Sequence, residues 1–216
     1  MRDEQVLSTV LRLLEQKYVS IEQAEKILEE YLDKNPEDKD AWYRLVILET
    51  LAPLEDYERA ASYLISALEV HKEDILMLIL LAFFKGWYLG GMDEALVSKL
   101  HEKINSTDSN LASIICYLLA WHHKDEHIEK FVHLLESSIR FCSRYVTNYV
   151  DLGVHHLGYG RKEEGKKLLR LGLENVVKIY RSNEEYDPID VTRFINERIT
   201  GVYMSEGNYL SIKEKT

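Results

Sequence analysis

One spacing constrains this chain more than any other feature. Five segments carry apolar residues at helical intervals: IEQAEKILEEYL, YERAASYLISAL, MDEALVSKLHEKI, HIEKFVHLLESSI and RKEEGKKLLRLGL. Aligned, they bring Ala24, Ala60, Ala95, Phe131 and Gly165 to equivalent points, in steps of 36, 35, 36 and 34 residues. Two alanines in one helix need no explanation, but mostly small residues in phase over five segments do. A period of this length marks a supersecondary unit that cannot bury its apolar face alone and stacks on its neighbours. Small side chains at the contact let helix axes approach where a bulky residue would hold them apart.

The punctuation between segments agrees with short paired helices. Val6, Leu7, Val10, Leu11 and Leu14 form an apolar stripe, and Ala24, Ile27, Leu28, Tyr31 and Leu32 form the next. Between them Ser20, with Gln23 three residues on, reads as a capping box. Pro36 cannot continue a helix and disfavours helical geometry at Asn35. Further breaks are expected near Pro53, Gly90 and Gly91, residues 106–110, 124–126, 158–160 and 182–188. No run alternates at period two long enough to argue a strand. The expectation is an all-α chain of about ten helices in antiparallel pairs, with one more helix after residue 187.

The residues then resemble a known family, the tetratricopeptide repeats (TPR). Trp42 and Leu45 match its first-helix signature; Asp56, Tyr57, Ala60, Leu64 and Ala67 match the second. Tyr149, Leu152, Gly153, Gly165, Leu169 and Gly172 match in the fifth unit, and Ala24, Leu28 and Pro36 in the first. The third and fourth units are degenerate, with Phe131 where a small residue is usual. The resemblance implies a right-handed α-α superhelix of about five helix pairs. It would form one domain over residues 1–203, with repeats near 3–38, 39–74, 75–108, 109–144 and 145–181. Residues 187–203 would then be a capping helix turning Val191, Phe194, Ile195 and Ile199 inward, and residues 204–216 a tail.

Charge and composition bound the partners. The formal net charge is −10, from 27 Lys and Arg against 37 Asp and Glu. Such a surface repels phosphate backbones and anionic membranes and steers cationic groups inward. Residues 75–84, ILMLILLAFF, are strongly apolar but too few to span a bilayer, so they read as a buried helix. The charged start MRDEQVLSTV lacks the order of a signal peptide, and Cys116 and Cys142 lack zinc or redox spacing. A cytoplasmic protein with two free thiols is the expectation.

Little in the sequence supports chemistry at a site. Adjacent histidines, His122-His123 and His155-His156, point about 100° apart on a helix and cannot chelate as residues four apart can. His123 and His127 have that separation, but a turn is expected between them. GYGRKEEG follows a helix rather than a strand, so it closes one helix and opens another instead of holding phosphate. No nucleophile elbow or matched acid and base is present. The expectation is no enzyme, no cofactor and no metal.

The resemblance implies instead a non-catalytic scaffold that binds a protein or peptide in a groove lined by first helices. By carry-over the groove residues are Tyr43, Ile47, Leu51, Ile79, Phe83 and Trp87, with Val150, Val154 and Leu157 in the fifth unit. The Lys and Asn clamp that grips a C-terminal carboxylate in some such repeats is replaced by aromatic and aliphatic residues. An apolar floor with an acidic rim suits a cationic or amphipathic partner, and self-association stays open. Two alternatives share the fold: an acidic immunity protein or antitoxin covering a cationic toxin such as a nuclease, and a peptide-sensing regulator.

Overall fold

The computed structural model describes residues 20–178, 189–202 and 206–216. Among them every regular element is helical. The chain forms α1 (Ile21–Leu32), α2 (Lys39–Leu48), α3 (Tyr57–Val70), α4 (Ile75–Tyr88), α5 (Glu94–Lys103) and α6 (Ser109–His123). It continues through α7 (Ile128–Phe141), α8 (Thr147–Gly158), α9 (Lys162–Lys178), α10 (Val191–Phe194), a π-helical turn (Ile195–Ile199) and α11 (Glu206–Lys215). The stripe at Val6 to Leu14 and the break at 182–188 lie outside the described residues. The fold is all-α, as the periodicity predicts.

The chain divides into two compact units: residues 1–90 with 185–191, and residues 91–184 with 192–216. The division falls inside the region read as one domain over 1–203, between Gly90 and Gly91. Both have positive φ, +83° and +129°, backbone that other residues rarely adopt. In the first unit α1 packs on α2, α2 on α3 and α3 on α4. In the second, α6 packs on α5, α7 on α6, α8 on α7 and α9 on α8, and α11 lies against α9. No described helix is long and apolar enough to cross a membrane; α4 buries residues 77–84 instead.

The repeat shows most clearly in one leucine. Leu28, Leu64, Leu100, Leu135 and Leu169 are all fully buried, each four residues after the contact position on the second helix of its pair. That register corrects one expected residue. Ala95 faces solvent and Leu96 takes its place, because α5 buries Leu96, Val97 and Leu100 in the pattern of Ala60, Ala61 and Leu64. Ala24, Ala60, Phe131 and Gly165 are buried as expected.

Helix starts in the first unit recur every 18 residues. Ser20, Asp38, Asp56 and Asp74 each accept a hydrogen bond from the backbone N–H three residues on, satisfying a donor that has no partner inside the helix. In the second unit Asp93 and Asp108 do the same, but α7 and α8 follow His127 and Val146, which form no side-chain cap. The start of α8 is capped from far along the chain. The carbonyl of Thr200 accepts from the N–H of Val146 at 3.0 Å and of Thr147 at 3.3 Å, and Thr147 Oγ1 donates to the carbonyl of Ile199.

The C-terminal segment thus does more than end the fold. Phe194, Ile195 and Ile199 are buried as expected, while Val191 is only half-buried. Where a tail is expected, α11 forms: Ile212 is buried and Arg170 Nη2 donates to the carbonyl of Thr216. With one buried apolar side chain among its described residues, α11 carries almost no amphipathic signal in sequence, and its place comes from contact with α9.

Candidate partner-binding surfaces

Four of the nine residues expected to line a groove lie in the core. Tyr43, Ile47, Ile79 and Phe83 are buried, so they pack among the helices and offer little accessible surface to a partner. The reason is local: α4 is apolar around its circumference, and α2 is buried at Ala41, Tyr43 and every position from Leu45 to Leu48. Tyr43 is also tied down at its hydroxyl, which donates to Asp74 Oδ1 at 2.6 Å. Asp74 holds Lys39 Nζ at 2.8 Å and caps α4 through the N–H of Met77. Burial alone would push the Asp74 carboxyl up, but the bonds from Lys39, Tyr43 and the Met77 N–H together outweigh it and hold the group below its ordinary value.

The other five keep accessible surface. Leu51 is half-buried and Trp87 is 36% exposed in the first unit; in the second, Val150 and Leu157 are half-buried and Val154 is 43% exposed. Sequence reasoning missed the tyrosine beside Trp87. Tyr88 is 41% exposed and stacks on Tyr57 with ring centroids 3.7 Å apart and planes 3° from parallel. Phe83 meets Trp87 at 5.3 Å and Tyr88 edge-on at 5.8 Å, so a buried ring fixes two exposed ones. The missed signal is the adjacency of Trp87 and Tyr88 at a helix end whose other aromatics point inward.

A second surface lies on α8. Val154 is followed by Tyr159, also exposed, whose ring lies 4.5 Å from His155, and His155 packs edge-on to the buried Phe131. Nearby, Asp151 Oδ2 accepts from Tyr117 Oη at 2.8 Å and Trp121 Nε1 at 3.0 Å. Burial raises the Asp151 carboxyl above its ordinary value despite both bonds. The Tyr117 to Asp151 bond repeats the device of Tyr43 and Asp74, a first-helix tyrosine reaching into the next repeat.

The histidines converge more than their sequence positions suggest. The turn after α6 keeps helical spacing, since the N–H of His127 donates to the carbonyl of His123 at 2.9 Å and the rings lie 5.8 Å apart. His101, from α5, approaches His123 at 6.3 Å. His101, His123, Glu129, Lys130, His133 and Leu134 line a depression of about 360 Å³. Among the described residues no three His, Cys, Asp or Glu side chains are placed to hold a metal ion. Burial and then the charges of Lys130 and His122 lower the His101 imidazole; burial, His122 and Lys130 lower His123.

Comparison with known proteins places this geometry in a fold. No family model and no curated protein matches the chain. Among solved structures, MamA RS-1 ArsTM double mutant is 16% identical, covering 80% of this chain and 93% of its own, with a TM-score of 0.60. MamA 41-end from Desulfovibrio magneticus RS-1 is 18% identical over 80% and 92%, at 0.57, and a further MamA crystal structure is 14% identical over 86% and 100%, also at 0.57. The fold is that of a TPR-like helical repeat. At such identities the likeness carries the fold and not the surface chemistry, so binding residues must come from this chain's own exposed groups.

Proposed function

We propose that the protein is a non-catalytic interaction module that binds a protein or peptide of cationic or amphipathic character. The carrying observation is the pair Trp87 and Tyr88, exposed at the end of α4 and fixed by ring contacts with Phe83 and Tyr57. Held aromatic side chains offer large contact area at small entropic cost, which is why they dominate binding hot spots. Leu51 on the first unit, and Val150, Val154 and Leu157 on the second, are the remaining candidates from the groove reading. The net charge of −10 supplies attraction for a cationic partner and speeds encounter more than it tightens the final complex.

The same charge supports a second reading, an acidic neutraliser of one cationic toxin, which differs in demanding a single tight partner. Affinity capture from cell extract at low and moderate salt, using the parent chain and a Trp87→Ala, Tyr88→Ala variant, separates the readings. Each captured protein is then titrated against both by calorimetry. A cationic protein bound one to one, weakened by salt and by the variant, supports neutralisation; several weaker partners that share dependence on Trp87 and Tyr88 support a scaffold. Equal binding by parent and variant removes these two residues from the interface.

A further inference from the structure

Glu49, the residue that ends α2, is 0% exposed, and neither of its carboxyl oxygens has a hydrogen-bond partner among the described residues. Its side chain faces the carboxylate of Glu25 on α1, itself only 6% exposed. Two ionised carboxylates are both acceptors and can bond only if one carries a proton. The cation that acts on Glu49, Arg59 on α3, is already engaged. It places Nη2 2.6 Å from Glu25 Oε1 and 3.0 Å from Glu29 Oε1, and its Nε donates to Tyr63 Oη. Tyr63 donates in turn to Glu29, and Asp56 adds another negative charge near Glu49. With Glu25 and Glu29 sharing one guanidinium, a third negative charge buried at Glu49 would be left without a counter-ion of its own among the described residues.

We propose that Glu49 and Glu25 share a proton, and that this proton is a latch fastening the α2–α3 connection, residues 49–56, onto α1. The connection is tied at its base by the N–H of Asp56, which donates to the Glu49 carbonyl at 2.9 Å, and it holds Glu55 at a strained φ of +44°. Loss of the proton sets two carboxylates against each other at the foot of this connection. The ionisation falls in a useful range: burial first, and then Glu25, push the Glu49 carboxyl up to about 8, against the downward pull of Arg59. Because the folded value is raised, the latch stabilises fully below the ordinary carboxylate range and is lost as pH rises through about 8.

The test is a carbon-13 titration of the side-chain carboxyls in the full chain, with hydrogen-exchange protection of residues 50–56 at pH 6.5 and 8.5, corrected for intrinsic exchange. The Glu49 carboxyl should titrate well above the other glutamates. Protection should fall about tenfold over that interval in the parent chain and stay level in Glu49→Gln, whose amide is a permanent donor to Glu25. A Glu49 titration in the ordinary carboxylate range overturns the proposal without need of any variant. So does a folded Glu49→Gln, or a folded Glu25→Gln, that keeps the parent's loss of protection.

Discussion

The two units solve the same packing problem by different means. Both bury a leucine four residues after each second-helix contact. The first starts its helices with its own side chains, Ser20, Asp38, Asp56 and Asp74 at even 18-residue intervals, and lets helices approach at the buried Ala60 and Ala67. The second leaves α7 and α8 without side-chain caps, borrows Thr200 for α8, and brings α8 and α9 together through Gly153 and Gly165. It also buries a polar cluster, with Ser113 Oγ donating to the Ser138 carbonyl at 2.8 Å and Ser138 Oγ to the Ser113 carbonyl at 2.6 Å. A helix start capped locally survives changes elsewhere; one capped across the chain depends on a distant segment.

The largest expected effect therefore comes from ending the chain at residue 191. Loss of Phe194, Ile195 and Ile199 together with the Thr200 cap should cost the second unit on the order of 5 kcal/mol, and exchange at the Val146 and Thr147 amides should rise to match. Unchanged protection there would show that α8 does not need the borrowed cap.

Next is the contact between α8 and α9. A Cβ at Gly165 would lie 2.7 Å from the Gly153 carbonyl oxygen and 2.8 Å from Leu157 Cγ, and a backbone atom cannot swing aside. Gly165→Ala should cost about 3 kcal/mol by denaturant unfolding, whereas Ala60→Leu in the first unit should cost roughly 1 to 3 kcal/mol. Equal, small losses would erase this difference between the units. Capping sharpens it on a finer scale: Asp56→Ala should cost about 1 kcal/mol, while His127→Ala, which removes no cap bond, should stay within about 0.5 kcal/mol.

The smallest effect is one of pH. His101 and His123 sit below the ordinary imidazole value, so the unfolded chain takes up protons before they do. Their contribution is present above about pH 6.5 and lost as pH falls through the lowered folded values. Mild acid should loosen the contact of α5 with α6 and raise amide exchange at the end of α6. Replacing His101 and His123 by Gln should flatten that response.

The fold was largely legible because it rests on local rules repeated five times. Apolar spacing, Ser20 as a cap and small residues at Ala60, Ala67 and Gly165 are properties of a few neighbouring side chains. The Ala95 slip came from following residue size, when the pattern of two adjacent buried positions at Leu96 and Val97 was the better guide. The candidate surface was less legible. Tyr43, Ile47, Ile79 and Phe83 have the side chains of a binding floor, yet an apolar side chain does not announce which neighbour will cover it.

The sequence by itself determined the helices, their pairing period and the acidic field, since each follows from residues close in the chain or from a simple sum of charges. Only the tertiary structure decided which aromatics stayed outside, that Thr200 would cap α8, and that Glu49 would be buried without a hydrogen-bond partner among the described residues. Those outcomes depend on desolvation by groups distant in sequence. Burial and charge pairing are properties of a place in the fold, and no stretch of chain carries them alone.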